Sequence, residues 1–138
     1  MCVKLLIIEN DSTSIDLLRS LLRSREYEIN AVNTGRQGLQ AIRAQKPDAV
    51  ILDWMTPGLD GYNFCKTVRG FSEVPILVLS AIEEPRTVAN ALDSGADDYL
   101  LKPVTSSILV ASLGNLTRRV EMNGKGPKIK TAPLSQVK

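Results

Sequence analysis

The segment AVILDWMTPGLDG, residues 49–61, joins a short apolar run to two turn signals. Ala49 to Leu52 are apolar and end on one carboxylate, Asp53; Pro57-Gly58 and Asp60-Gly61 follow as turn formers. A short apolar run bounded by turns suits a strand buried on both faces, as in a parallel sheet. Asp53 then stands where that strand gives out, at the edge where open α/β sheets bind their ligands.

The neighbouring segments repeat the pattern. Upstream, VKLLII at residues 3–8 reads as a buried strand, followed by Glu9-Asn10-Asp11-Ser12, with a helix N-cap expected at Asp11 or Ser12. Ile15, Leu17, Leu18, Leu21 and Leu22 predict an amphipathic helix over residues 13–25. Residues 28–32 form a short, more polar strand of the kind found at a sheet edge. Thr34-Gly35 opens a second helix, to about Gln45, with Leu39, Ala41 and Ile42 inward. Downstream, residues 61–70 predict a third helix and residues 74–79 a strand ending at Ser80. Pro85 starts a fourth helix that carries Val88, Ala91 and Leu92 and stops at Gly95. Residues 98–101 are a short strand running into Lys102-Pro103, an X–Pro bond that tolerates the cis form. A last helix runs from Ser106 to about Val120 with Ile108, Leu109, Leu113 and Leu116 inward. Five strands alternating with five helices through short connections require right-handed crossovers and an α/β doubly wound parallel sheet.

Composition narrows the function. At 138 residues and 43% hydrophobic, the chain suits one globular domain with a real core. No apolar run approaches the ~18 residues of a membrane span, and the N-terminus lacks the pattern of a secretory signal, so a cytoplasmic protein without membrane contact is expected. Cys2 and Cys65 lie far apart, without metal-ligand spacing, and read as reduced thiols. With no histidine in the chain, Ser-His-Asp and Cys-His catalysis are excluded. Residues 122–138 hold four lysines and no acid; taking these from the total of +2 leaves −2 for residues 1–121. The body is therefore not a nucleic-acid binder by charge. The tail reads as a flexible basic linker or a weak nucleic-acid contact without interleaved aromatics.

A parallel sheet brings all strand C-termini to one edge, which here collects Glu9, Asn10, Asp11, Asp53, Ser80 and Lys102. Taken singly these residues have ordinary roles: caps, surface acids, a turn hydroxyl, a solvated lysine. In the order LLIIEND, LDWMTPGLDG, PILVLSA and GADDYLLKP, the sequence resembles the receiver (CheY-like) domain of bacterial two-component response regulators over residues 3–121. The resemblance implies a (βα)5 fold with flavodoxin-like strand order 2-1-3-4-5. It makes Asp53 the acceptor of a phosphoryl group from a histidine kinase or phosphotransfer protein. Glu9, Asn10, Asp53 and the Met55 carbonyl match the Mg²⁺ ligands, and Ser80 and Lys102 match the hydroxyl and ammonium that bind phosphoryl oxygens. Tyr99 matches an aromatic switch residue that follows Ser80. The surface made by the fourth helix, fifth strand and fifth helix then controls an output domain or partner, and the domain is a switch rather than a turnover enzyme.

Asn10 departs from the family, which places Asp there; losing that charge predicts weaker Mg²⁺ binding and slower phosphorylation. It leaves a second reading open, an atypical receiver that acts as a phosphate-independent interaction module. A haloacid-dehalogenase-type hydrolase would want a second Asp where Met55 stands. Winged-helix relatives pair the first Asp of Asp97-Asp98-Tyr99 with a fifth-helix arginine across a dimer, but the matching position is Ser112, so a homodimer would need another contact. Nucleic acid would be met only through an output domain.

Overall fold

The computed structural model describes residues 2–23 and 26–123. Strands β1 (Val3–Ile8), β2 (Tyr27–Val32), β3 (Ala49–Asp53), β4 (Ile76–Ser80) and β5 (Asp98–Leu101) alternate with five helices. These are α1 (Ser12–Leu21), α2 (Gly35–Gln45), α3 (Gly61–Arg69), α4 (Pro85–Ser94) and α5 (Ser106–Asn123). The strands form one parallel sheet in the order β2-β1-β3-β4-β5, so the polar β2 is an edge, as its composition predicts. β3 and β4 are buried at every position.

The two faces of the sheet carry separate cores. Leu6, Ile8, Val50, Leu52, Ile76 and Val78 meet Ile42 of α2 and Phe64, Cys65 and Val68 of α3. Leu5, Ile7, Ile51, Leu77 and Leu79 meet Leu18 and Leu22 at α1 and Leu109, Leu113 and Leu116 of α5. The period-2 alternation of a strand delivers its apolar residues to both layers.

Ile108, expected inward, is exposed at 54%, and so are two apolar residues that marked their helices, Leu17 at 57% and Leu92 at 43%. Each lies one residue, a rotation of about 100°, from the buried stripe of its helix. Those stripes are set by Leu18 and Leu22, by Ala91 and Ser94, and by Leu109, Leu113 and Leu116. α1 ends at Leu21 rather than at residue 25, with Leu22 as its C-cap. β4 begins at Ile76 because Pro75 has no N–H to give the ladder, and the Ile76 amide is held by Asp97 Oδ2 at 2.8 Å. α5 passes Val120 and continues to Asn123. The linker expected over residues 122–138 thus begins inside α5, and its residues 124–138 lie outside the described residues. Gly95 closes α4 at φ 125°, a conformation that favours glycine, and Lys102–Pro103 is cis.

Candidate functional site at the carboxyl edge of the sheet

β1, β3, β4 and β5 end together, and their last residues and the turns after them build one polar site. Asp53 closes β3 with its side chain 8% exposed. Three groups hold it. Lys102 Nζ, just after β5, donates to Asp53 Oδ2 at 2.7 Å, and the Met55 amide donates to Oδ1 at 2.9 Å. The Asp53 carbonyl accepts the Thr56 hydroxyl at 2.8 Å, which folds the β3–α3 turn back on its own strand end. Gly58 takes φ 77° in that turn. Gly61 is required farther on, because a Cβ there would lie 2.5 Å from the Trp54 ring packed over it.

Glu9 follows β1 and is equally buried, with Oε1 3.8 Å from Lys102 Nζ. Its Oε2 accepts the Asp11 amide at 3.1 Å, and its carbonyl accepts Asn33 Nδ2 at 3.1 Å. Burial first, then the hydrogen bond and charge of Asp53, push the Glu9 carboxyl up to about 7; the Asp11 amide and Lys102 pull against that rise. Asp53 moves the other way. Burial would raise it, but Glu9, Lys102 and the Met55 amide together hold it below the ordinary carboxylate value of 3.8. Of the two buried carboxylates beside one ammonium, Glu9 therefore holds a proton more readily and Asp53 ionises first.

Asn10 is exposed, and its side chain has no partner among the described residues. Asp11 cannot replace a carboxylate there. It is the N-cap of α1, accepting Ser14 N at 3.0 Å and Ser14 Oγ at 2.8 Å. Among the described residues no three His, Cys, Asp or Glu side chains converge, so the site offers a hard cation only two carboxylates. The donor set is nevertheless all oxygen, and a carboxyl raised by burial beside a second acid marks where a cation would be welcome. On that chemistry the residues fit Mg²⁺.

Ser80 is fully buried at the end of β4, one register position beyond Leu79, which pairs with Asp53. The Ser80 carbonyl accepts the Lys102 amide at 2.9 Å, but its hydroxyl forms no hydrogen bond to Asp53, Glu9 or Lys102; the Oγ instead accepts the Ile82 amide at 3.0 Å. The Tyr99 hydroxyl, half-buried on β5, donates to the carbonyl of the same Ile82 at 2.7 Å. The structure therefore brings Glu9, Asp53, Lys102 and Met55 into direct contact and joins Ser80 to Tyr99 through one backbone unit. Thr56 and Ile82 escape a sequence reading. Each acts through where its backbone is placed, and Thr56 also through a hydroxyl bonded to a main-chain carbonyl, for which no motif exists.

The fold and this edge define a receiver-type class of α/β domain, and comparison with known proteins bears this out. The chain belongs to the response regulator receiver domain family, whose model matches residues 5–114. It is 37% identical over 117 residues to the transcriptional regulatory protein AfsQ1 of Streptomyces coelicolor, covering 85% of this chain and 52% of that one. It is 36% identical over 116 residues to the DNA-binding response regulator MtrA of Mycobacterium leprae, covering 84% and 52%. The chain thus spans about half the length of these curated relatives. Among solved structures, a response regulator from Chloroflexus aurantiacus superposes with a TM-score of 0.81 at 36% identity, covering 86% of this chain and all of that one. The receiver domain of a sensor histidine kinase from Pseudomonas aeruginosa, solved with magnesium in its active-site cleft, gives 0.78 at 28% identity, covering 86% and 99%. This chain is accordingly a receiver domain of two-component signalling systems.

Proposed function

We propose that this receiver is a phosphorylation-controlled switch in which Asp53 accepts a phosphoryl group from a histidine kinase or phosphotransfer protein. One observation carries the reading: a buried, ionised carboxylate ends a central strand with an ammonium 2.7 Å away and a second acid beside it. An Asp53 oxygen attacks phosphorus as the bond from phosphorus to the donor's histidine nitrogen breaks. Lys102 is placed to follow the charge from the carboxylate to the phosphoryl oxygens, and the Ser80 hydroxyl to donate to one of them. Glu9, Asn10, Asp53 and the Met55 carbonyl would hold Mg²⁺, which supplies charge neutralisation to the phosphoryl oxygens. A cation held there would favour the ionised form of Glu9, whose carboxyl is otherwise raised.

Partners follow from the surroundings. A groove of about 310 Å³ opens beside Lys102, walled by Leu17, Leu18 and Leu21 of α1 with Pro103 and Val104, and suits an apolar helix of the phosphodonor. Ile82 links Ser80 to Tyr99, so a hydroxyl drawn toward phosphate shifts the start of α4 and the aromatic on β5 together. That surface would control an output domain, and the names of the longer relatives favour one that regulates transcription by binding DNA. We take the domain to be a cytoplasmic switch rather than a turnover enzyme. No helix among the described residues is long and apolar enough to cross a membrane.

Asn10 favours a second reading, a phosphate-independent interaction module, because the site lacks a third carboxylate. Acetyl phosphate with Mg²⁺, followed by borohydride reduction and peptide mapping, separates the two. The switch predicts reduction at residue 53 alone. Modification elsewhere contradicts it.

A further inference from the structure

We propose that the cleft between the start of α3 and the length of α4 is a docking site for a partner-protein segment that presents a lysine or arginine beside an apolar side chain. The cleft measures about 670 Å³ and has an apolar floor of Trp54, Met55, Tyr62 and Ile82. Its only charged liners are Asp60 and Asp93, both exposed. Neither is in an ion pair among the described residues, although both oxygens of Asp60 accept hydrogen bonds from Asn63 as it caps α3. Lys66 lies over the Tyr62 ring at 5.7 Å but does not line the cleft, so the Trp54 ring and the Asp93 carboxylate are the groups left for a partner. Met55 is 58% exposed, a flexible thioether suited to taking up an apolar partner group. Two anionic liners, one of them without any hydrogen bond, favour a basic group over an acidic one, which selects the occupant by charge.

The position of the cleft gives this docking a consequence. Met55 donates its amide to Asp53, whereas Ile82 is held by Ser80 on one side and Tyr99 on the other. A segment seated here touches both turns of the phosphoryl site at once. Binding and the state of the Ser80–Ile82–Tyr99 unit are therefore coupled, in both directions. That coupling rests on the reading of Ser80 and Tyr99 as a switch; the docking itself does not.

Trp54, the single tryptophan of the chain, lies in the cleft and reports occupancy directly. Titration of the unmodified protein with acetyl-Leu-Arg-Leu-amide should give a saturable change in its emission, and the charge-reversed acetyl-Leu-Glu-Leu-amide should give none. Asp93 makes no hydrogen bond or ion pair, so Asp93→Asn keeps the fold and should weaken the basic peptide about two- to fivefold. Ser80→Ala, which removes the acceptor of the Ile82 amide, should shift its Kd by about threefold or more. An unsaturable response, equal responses to the two peptides, or an unchanged Kd in Asp93→Asn overturns the docking site. An unchanged Kd in Ser80→Ala overturns the coupling. No phosphate is used, so failure here and failure of the phosphorylation reading are separate results.

Discussion

Asn10 is the residue on which the proposed chemistry turns. An amide there keeps an oxygen but would give up a full negative charge beside a bound dication, in a site where Lys102 already offsets one of two carboxylates. Asn10→Asp is expected to lower the Mg²⁺ concentration at half-saturation by about tenfold, as one added contact charge near a protein surface contributes on the order of 1–2 kcal/mol. Trp54 fluorescence during a Mg²⁺ titration measures it, and equal midpoints would refute the role given to Asn10. The thiols give a second test at this scale. Burial pushes the Cys65 thiol above its ordinary 9.0, and its side chain is sealed between α3 and the sheet, whereas Cys2 is exposed. Native protein should therefore titrate one thiol rapidly with a thiol reagent and the second only on unfolding. Two rapid equivalents would mean that the α3 core opens readily.

At the scale of elements, Arg69 stands out as a staple at the opposite edge of the sheet. From the end of α3 its guanidinium donates to the carbonyls of Gly95, Ser72 and Val74 and to Asp97 Oδ2, at 2.7 to 3.2 Å. It thereby joins the ends of α3 and α4 to the starts of β4 and β5. Arg69→Met should cost about 2–4 kcal/mol in urea unfolding, for it strands several carbonyls and a mostly buried carboxylate. Burial raises the Asp97 carboxyl above 3.8 against the Ile76 amide, Arg69 and Arg119, which pull it down. A raised acid favours folding only while protonated. The stability of wild type relative to Asp97→Asn should then fall as pH climbs from 3.8 through the raised value. A relative stability that rises over that interval would reverse the sign of the shift.

Elements were legible where local chemistry is one-sided. Asp11 and Thr34 announce the starts of their helices, and each accepts the amide three residues on; Asp60, read as a turn former, caps α3 in the same way. The exposure of Leu17, Leu92 and Ile108 could not be read because one apolar residue off a helical stripe looks the same in sequence whether a neighbouring layer covers it or not. That choice belongs to the packing of whole layers.

For the whole molecule, the alternation of strand and helix, the polar edge strand and the gathering of Glu9, Asp53, Ser80 and Lys102 at one sheet edge could all be read from residue order. A parallel sheet allows the ends of its strands no other place. The Lys102–Asp53 contact, the raised carboxyl of Glu9 and the bridge through Ile82 could not be read, since they depend on distances of a few ångströms between segments far apart in sequence. The proposed switch uses all three, and that proposal rests on Asp53 being the acceptor. The measurement that tests this most directly is intact-protein mass after incubation with acetyl phosphate and Mg²⁺, with wild type beside Asp53→Ala. The account predicts one added phosphoryl group on wild type and none on the variant. An unchanged mass on folded wild type, or equal addition to both proteins, would contradict it.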